Sequence, residues 1–158
     1  MRFDVITLFP DLVRDSFNYG ITGRALISQK ISLNTLNPRD FSKENNQKVD
    51  DRPYGGGPGM VMQPEPMIKA IRQAKSETKK PYTIFMSPQG NIFNQAKAEE
   101  LSDKEHLVIV CGRYEGIDQR IIDSEVDEEC SIGGYILSGG ELPALIVMDS
   151  IARTIEGV

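Results

Sequence analysis

The stretch Ser131–Pro143 constrains the fold more than any other part of the chain. It places four glycines and two serines around a short apolar core, and a helical pattern begins directly after it. Glycine adopts backbone conformations that other residues avoid, and it lets another group approach the main chain closely. Two Gly-Gly pairs in so apolar a segment make a poor flexible linker. The segment therefore predicts a tight backbone cradle for a ligand.

Two further stretches are rich in glycine, Tyr54–Gly59 and Cys111–Gly116. Together with Ser131–Pro143 they hold 10 of the 14 glycines of the chain. Because most of the glycines lie in these three stretches, we predict that the three stretches together form one site.

Helical and strand patterns alternate along the chain, which predicts an α/β fold with a mostly parallel sheet flanked by helices. Strands are predicted over residues 3–8, 31–36, 83–86, 107–111 and 132–137. Helices are predicted from residue 10 and over residues 22–30, 64–74, 94–101, 117–122 and 142–155, with a long loop over 37–59. Ligands of such sheets bind outside the carboxyl ends of the strands. The loops after Met86, Cys111 and Leu137 are therefore the candidate site.

Composition and charge limit the class of protein. The length of 158 residues suits one domain with a sizeable core, and the net charge of −5 alone argues against a nucleic-acid partner. A local basic patch can still bind RNA on an acidic protein. No apolar run approaches the roughly 20 residues that cross a bilayer, and the amino terminus lacks a signal-peptide pattern. These features predict a cytoplasmic protein without a membrane partner.

The sequence offers little support for a metal site or for a catalytic nucleophile. Cys111, Cys130 and the single histidine, His106, are not spaced as a zinc site, so no metal ligand is assigned. His106 directly precedes a buried-looking strand, which favours a packing or capping role. Asp50 and Asp51 have no evident third ligand. The chain contains no phosphate-binding loop, no dinucleotide fingerprint and no nucleophile elbow, which disfavours a nucleoside triphosphate ligand.

Two shorter motifs are ambiguous when taken alone. Ser87–Gly90 follows a strand and reads as an ordinary β-turn. Arg113–Gly116 puts a cation, an aromatic ring and a carboxylate on one loop, which fits either a surface ion pair or a functional site. Arg153, in the last helix, would by itself be a solvated arginine.

Taken together, the motifs resemble those of the bacterial tRNA (guanine-N1)-methyltransferase family, TrmD. The resemblance covers essentially all 158 residues, and the motifs keep the order and spacing of the family. It rests on the opening segment and on the stretches Asp51–Met60, Met86–Gly90 and Cys111–Asp118.

The resemblance implies a SPOUT-type α/β domain over residues 1–158 with a deep trefoil knot near its carboxyl-terminal end. In the family, the knot loops bind S-adenosyl-L-methionine, and the protein is a homodimer. By residue-to-residue correspondence, the cofactor contacts would be Met86, Ser87, Pro88, Gln89, Gly90, Gly112, Tyr114, Glu115, Ser131, Ile132, Gly133, Tyr135, Leu137, Gly139, Gly140 and Pro143. Glycines and apolar walls suit an adenine held against bare backbone.

The implied reaction is methyl transfer to N1 of the guanine that follows the anticodon of certain tRNAs, position 37. A base must remove the N1 proton, and negative charge then develops towards O6. Arg153 matches the arginine that stabilises this charge in the family, and Glu115 is assigned a catalytic as well as a binding role. Family members also use Mg²⁺, although no metal site is evident here.

In the family, the general base is an aspartate in an Asp-Ser-Phe segment of the linker that follows the helix with Arg153, and residues 1–158 end before that linker. The carboxyl-terminal tRNA-binding domain of the family is likewise not among these residues. The resemblance therefore leads us to expect a chain that binds the methyl donor and, as an isolated domain, is inactive or nearly so.

Two other functions stay open on the sequence. One is a different SPOUT methyltransferase that modifies another RNA nucleotide. The other is a nonenzymatic module that binds a nucleotide or RNA in the same glycine-rich cavity.

Overall fold

A five-stranded parallel sheet forms the centre of the protein. The structure, a computed structural model, describes all residues, Met1–Val158. The strand order is β2-β1-β6-β5-β7, and every neighbouring pair is parallel. These strands are β1 (Arg2–Ile6), β2 (Ser32–Leu36), β5 (Pro81–Ile92), β6 (His106–Cys111) and β7 (Glu128–Ser131). A separate antiparallel pair consists of β3 (Asp50–Asp51) and β4 (Val61–Met62).

Helices cover both faces of the sheet, as parallel strands require. They are α1 (Pro10–Phe17), α2 (Gly20–Ile27), α3 (Pro64–Lys75), α4 (Gln95–Ser102), α5 (Gln119–Glu125) and α6 (Glu141–Ala152), with a short 3₁₀ helix at Pro38–Phe41. The buried side chains of α1, α2, α4 and α6 pack on one face, and those of α3 and α5 pack on the other. None of these helices has both the length and the apolar character that crossing a membrane requires.

Strand β6 lies in the middle of the sheet, between β1 and β5, and all its residues are buried. Its continuous apolar run, Leu107–Cys111, was expected for a strand covered on both faces. Val108 and Val110 join the core under α3 and α5, while Leu107 and Ile109 join the core under the other four helices. The alternation of side chains along one strand therefore supplies both halves of the core.

The predicted class and most predicted elements are confirmed, with three corrections. Residues 132–135 form bends, residues 136 and 137 have no regular structure, and the strand of that region is Glu128–Ser131. The ladder with β5 ends at Ser131, whose hydroxyl instead hydrogen-bonds to the backbone of Gly133, despite the apolar residues that follow. The predicted loop over 37–59 contains the 3₁₀ helix and β3. Strand β5 continues past Met86 to Ile92.

His106 has the packing role that its sequence position favoured. It is fully buried at the start of β6, where its Nε2 lies 2.6 Å from Oδ2 of Asp4 and its Nδ1 lies 2.8 Å from the hydroxyl of Thr78. Arg2 donates from Nε to the same Asp4 oxygen at 2.9 Å. This network stands at the amino ends of the strands. The trefoil knot stays a prediction of the family resemblance.

Candidate functional site

A cavity of about 440 Å³ opens at the carboxyl ends of β6 and β7 and at the bulge within β5. Its position agrees with the expectation for an α/β sheet. Three loops and the strand ends around them contribute its lining: Phe85, Met86, Ser87, Pro88, Gln89, Gly112, Tyr114, Glu115, Gly116, Ile117, Gln119, Ile122, Glu129, Cys130, Ser131, Ile132, Gly133, Tyr135, Ile136, Leu137, Ser138, Gly139, Gly140 and Pro143.

The first loop is a bulge inside β5. Both Met86 and Asn91 pair with Cys130 of β7, so the residues between them leave the ladder. Pro88 has no N–H to offer a ladder, and the hydroxyl oxygen of Ser87 accepts the backbone N–H of Gln89 at 3.2 Å. The bulge projects Ser87, Pro88 and Gln89 onto the cavity, so the motif that looked like a simple turn forms one wall.

The second loop follows β6 and has a strained backbone. Tyr114 adopts φ +59°, in the left-handed region that non-glycine residues rarely occupy. The loop is fixed from outside, because the backbone N–H of Glu115 donates to the carbonyl of Met60 at 2.9 Å and that of Met62 donates to Gly116 at 3.1 Å. Strain that persists under such restraint is frequent at functional sites.

The third loop is the glycine-rich stretch before α6. Its start is tied by Ser131, whose hydroxyl oxygen lies 3.0 Å from the carbonyl oxygen and 3.2 Å from the backbone nitrogen of Gly133. Its end is tied to the second loop, because the N–H of Gly140 donates to the carbonyl of Gly112 at 3.0 Å. A Cβ on Gly140 would lie 2.8 Å from Cα of Cys111. Only glycine therefore permits this approach.

The charge of the cavity is one-sided. Its only charged lining residues are Glu115 and Glu129, and no lysine or arginine lines it. Cys130 also lines it, and burial first, then the nearby Glu128 carboxylate, raises the pKa of its thiol to about 11. The cavity thus offers bare backbone, apolar walls, neutral thiol and negative charge, which suits a neutral or cationic ligand better than a phosphate.

The sequence matches the family described as tRNA (Guanine-1)-methyltransferase TrmD along residues 1–158. The chain belongs to this family. A tRNA (guanine-N(1)-)-methyltransferase of Methylococcus capsulatus is 55% identical over 159 residues, which cover 100% of this chain and 63% of that protein. A protein of the same name from Cupriavidus necator is 52% identical over 163 residues, again covering 100% and 63%. This TrmD-family chain thus spans about 63% of the length of those relatives.

A solved structure of the same family supports the fold. The crystal structure of the tRNA (m1G37) methyltransferase from Aquifex aeolicus superposes with a TM-score of 0.91 at 42% sequence identity. The match covers 100% of this chain and 71% of that one. The parallel sheet and flanking helices are therefore those of TrmD proteins.

The cavity brings together every residue predicted to contact the cofactor except Gly90. Gly90 lies at the end of the bulge, against the backbone of Glu129 and Cys130, where an added Cβ would overlap both. Its glycine identity is explained by the close approach of β5 and β7.

Arg153 does not lie at the cavity of its own chain. Helix α6 begins beside the cavity at Glu141, and Arg153 caps its far end and is exposed. The helix has 12 residues, and at about 1.5 Å per residue its ends lie roughly 18 Å apart.

Nine lining residues were missed: Phe85, Gly116, Ile117, Gln119, Ile122, Glu129, Cys130, Ile136 and Ser138. Gln119 and Ile122 are three residues apart on α5, directly after a motif loop, so helical spacing was a usable signal for them. Glu129 carried no such signal, because only its pairing with Phe85 across β5 and β7 places it there.

No group of three or more histidine, cysteine, aspartate or glutamate side chains is close enough to hold a metal ion. Mg²⁺ usually keeps several waters and binds through one or two carboxylates together with substrate phosphates, so its use stays a prediction of the resemblance.

Proposed function

We propose that this chain is the donor-binding domain of a tRNA (guanine-N1)-methyltransferase. The methyl group would pass from S-adenosyl-L-methionine to N1 of guanine 37, next to the anticodon, in the cytoplasm. One observation carries the proposal. The motif loops of a methyltransferase family converge on a single cavity whose only charged lining groups are carboxylates.

The cavity suits the donor in size and in surface. Its volume of about 440 Å³ falls within the range of roughly 300–1,000 Å³ that is typical of small-molecule sites. Gly112, Gly139 and Gly140 leave backbone open to an adenine, and Ile132, Leu137 and Pro143 offer apolar walls. We assign the binding role to the lining residues predicted above, and to Gly90 a packing role.

Charge separates the donor from the competing ligands. S-adenosyl-L-methionine has a sulfonium and an ammonium group against one carboxylate, so it is cationic. Glu115 and Glu129 attract such a molecule and repel the phosphates of a nucleotide such as GTP. This favours the methyltransferase over the nonenzymatic nucleotide-binding module. The relatives are named for guanine-N1 methylation, which favours that reaction over methylation of another RNA nucleotide.

The donor, when bound, supplies an activated methyl group. The lining residues hold it in line for attack, and much of the acceleration comes from this positioning. We also assign a catalytic role to Glu115, which is exposed and lines the cavity. Arg153 would stabilise the charge that develops at O6 of guanine, as preorganised donors do elsewhere. The family's base aspartate, outside residues 1–158, and the use of Mg²⁺ stay predictions of the resemblance.

The position of Arg153 supports a homodimer. An arginine at the far end of α6 can reach a cavity only if that cavity belongs to another subunit. Helix α6 also exposes apolar side chains on one stripe, Leu142 at 53% and Ile146 at 49%. An apolar patch of this kind is typical of a protein contact. We therefore propose a homodimer in which Arg153 serves the partner's cavity.

A calorimetric titration of the 158-residue chain with S-adenosyl-L-methionine tests the proposal, with GTP as the control ligand. We expect saturable binding of the donor and none of GTP. The variant Gly140→Ala should weaken donor binding, because its Cβ meets Cys111, whereas Gly134→Ala has open space and should bind as the parent chain does. If the folded chain binds GTP and does not bind S-adenosyl-L-methionine, the proposal is wrong.

The position of the methyl group tests the reaction. The experiment needs a protein that also carries the part of the relatives' length that this chain does not span. After reaction with tRNA and labelled donor, we expect the methyl group on N1 of guanine 37. Methylation of another nucleotide would support the other SPOUT activity instead.

A further inference from the structure

A buried carboxylate lies behind the glycine-rich loop. Glu141, the first residue of α6, is 1% exposed and does not line the cavity. Its Oε1 accepts a hydrogen bond from the Thr7 hydroxyl at 2.8 Å. Its Oε2 accepts from Nε of Arg113 at 3.0 Å and lies 2.8 Å from Nη2 of the same side chain. The position at a helix amino terminus favours the negative charge further.

Arg113 extends this network to the loop itself. Its Nη1 donates to the carbonyl oxygen of Ser138 at 3.2 Å, and its guanidinium carbon lies 4.4 Å from the centroid of the Phe9 ring. The backbone N–H of Phe9 donates to the Thr7 hydroxyl oxygen at 2.9 Å. One network therefore joins the segment after β1, the loop after β6 and the loop before α6.

The glycines of the loop lie directly on this ion pair. A Cβ on Gly139 would overlap Nε of Arg113 and lie 2.6 Å from Oε2 of Glu141. Besides the ion pair, the loop is held there by the hydrogen bond from Gly140 to Gly112. The positions of Ser138, Gly139 and Gly140, which all line the cavity, thus depend on a charge pair that does not touch the ligand space.

We propose that Glu141 is a positioning residue for the methyl donor. It acts through Arg113 to hold the glycine-rich loop in its binding conformation before the ligand arrives. Because ordering a loop at the moment of binding weakens affinity, a loop that is already fixed binds more tightly. This inference rests on the proposed function, since it names the donor as the ligand of the cavity.

The variant Glu141→Gln tests the proposal. Glutamine keeps the size of the side chain but cannot form the ion pair, so the loop loses a charge-assisted restraint. Calorimetry on the 158-residue chain should show a dissociation constant for S-adenosyl-L-methionine that is roughly tenfold higher, as expected for losing a hydrogen-bonded charge pair.

Asp4→Asn is the matched control. Asp4 is also a buried carboxylate that accepts from an arginine, Arg2, but it lies at the amino ends of the strands. The control should lose stability to urea as Glu141→Gln does, while its dissociation constant for the donor stays within about twofold of the parent chain, because distant sites act independently. If Glu141→Gln and Asp4→Asn weaken donor binding equally, Glu141 has only a structural role and the proposal is wrong.

Two readouts separate positioning from general damage. The double variant Glu141→Gln/Arg113→Gln should bind the donor about as weakly as either single variant, because both remove the same pair. Hydrogen exchange of the Gly140 amide should become faster in Glu141→Gln without any ligand. If the parent chain fails to bind the donor, the proposed function fails, while this exchange readout still tests the restraint. Unchanged exchange and unchanged donor affinity would overturn the positioning role.

Discussion

Gly90 of β5 and Cys130 of β7 are so close that a Cβ on Gly90 would overlap the backbone nitrogen of Cys130. The overlap extends to the carbonyl carbon of Glu129, so backbone atoms, which cannot rotate away, would have to move. This contact lies where β5 returns to its ladder with β7 after the cavity bulge. Glycine at the end of the bulge therefore lets the two strands come this close without displacing backbone.

We expect Gly90→Ala to destabilise the chain, by about 1–3 kcal/mol in urea unfolding, as is usual for overpacking. The control is Gly134→Ala, which has no atom within 4 Å of the added Cβ and should change stability little. A Gly90→Ala chain as stable as the parent would show that β5 and β7 separate easily at this point.

The cavity charge leads to a prediction about ligand selectivity. The carboxylate of Glu129 attracts the cationic donor more strongly than it attracts the product, S-adenosylhomocysteine, which has no net charge. Glu129→Gln should lower the ratio of donor affinity to product affinity by roughly three- to tenfold, the range expected for a charge a few ångströms away at a partly solvated site. Competitive calorimetry with both ligands measures this ratio.

Glu128 provides the control for this prediction. It is the neighbour of Glu129 on β7 but does not line the cavity, and its Oε2 lies 2.8 Å from Nζ of Lys97 and 3.1 Å from the Tyr82 hydroxyl. Glu128→Gln should leave the affinity ratio unchanged. If the two variants behave alike, the charge of Glu129 does not act on the ligand.

The two thiols should differ in reactivity. Burial raises the pKa of Cys130 to about 11 and raises that of Cys111 well above its usual range. Because the thiolate is the reactive form, iodoacetamide should label neither thiol quickly at pH 8 in the folded chain. As the pH approaches 11, Cys130 should be labelled first, since it lines the cavity and Cys111 does not. Peptide mass spectrometry identifies the site, and urea-unfolded chain serves as the fully reactive control.

The same shift has a consequence for stability. The folded chain keeps the Cys130 proton up to about pH 11, whereas the unfolded chain releases it near the pKa of a free thiol, about 8.5. The folded state therefore binds more protons than the unfolded state in this interval. The contribution of the Cys130 thiol to the free energy of unfolding falls as the pH rises from about 9 to 11. Cys130→Ala should flatten this part of the pH profile. Fast labelling of Cys130 at pH 8 would contradict both expectations.

The sequence predicted the sheet and the place of the site because both follow from local patterns. The apolar run at Leu107–Cys111 identified a buried central strand, and the glycine clusters marked the loops at its end. The prediction of a strand over residues 132–137 was wrong for a physical reason. Ile132, Tyr135 and Leu137 have strand propensity, but they line the cavity from a loop that begins where the pairing with β5 ends, at Ser131.

Long-range relationships could not be predicted in the same way. Arg113 and Glu141 are 28 residues apart, and the Thr7 contact with Glu141 spans 134 residues. The residues next to Thr7, Arg113 and Glu141 in the sequence do not indicate that these side chains form pairs. The bulge in β5 was also invisible, because its existence depends on how β7 pairs before and after it.

The location of Arg153 gives the sharpest prediction about the assembled protein. Since α6 separates Arg153 from the cavity of its own chain, we expect the arginine to act on the partner's cavity. The experiment uses a protein of the relatives' full length, in two variants. Gln89→Trp places a bulky ring in the cavity from an exposed position, and Arg153→Ala removes the guanidinium.

Each variant alone should transfer methyl groups to tRNA poorly, and Arg153→Ala should still bind the donor like the parent protein. Mixed dimers, isolated through two different affinity tags, contain one site with an intact cavity from one subunit and Arg153 from the other. Such dimers should regain part of the parent activity. If Arg153 acted within its own subunit, every site in the mixed dimer would lack one component, and activity would stay at the level of the single variants.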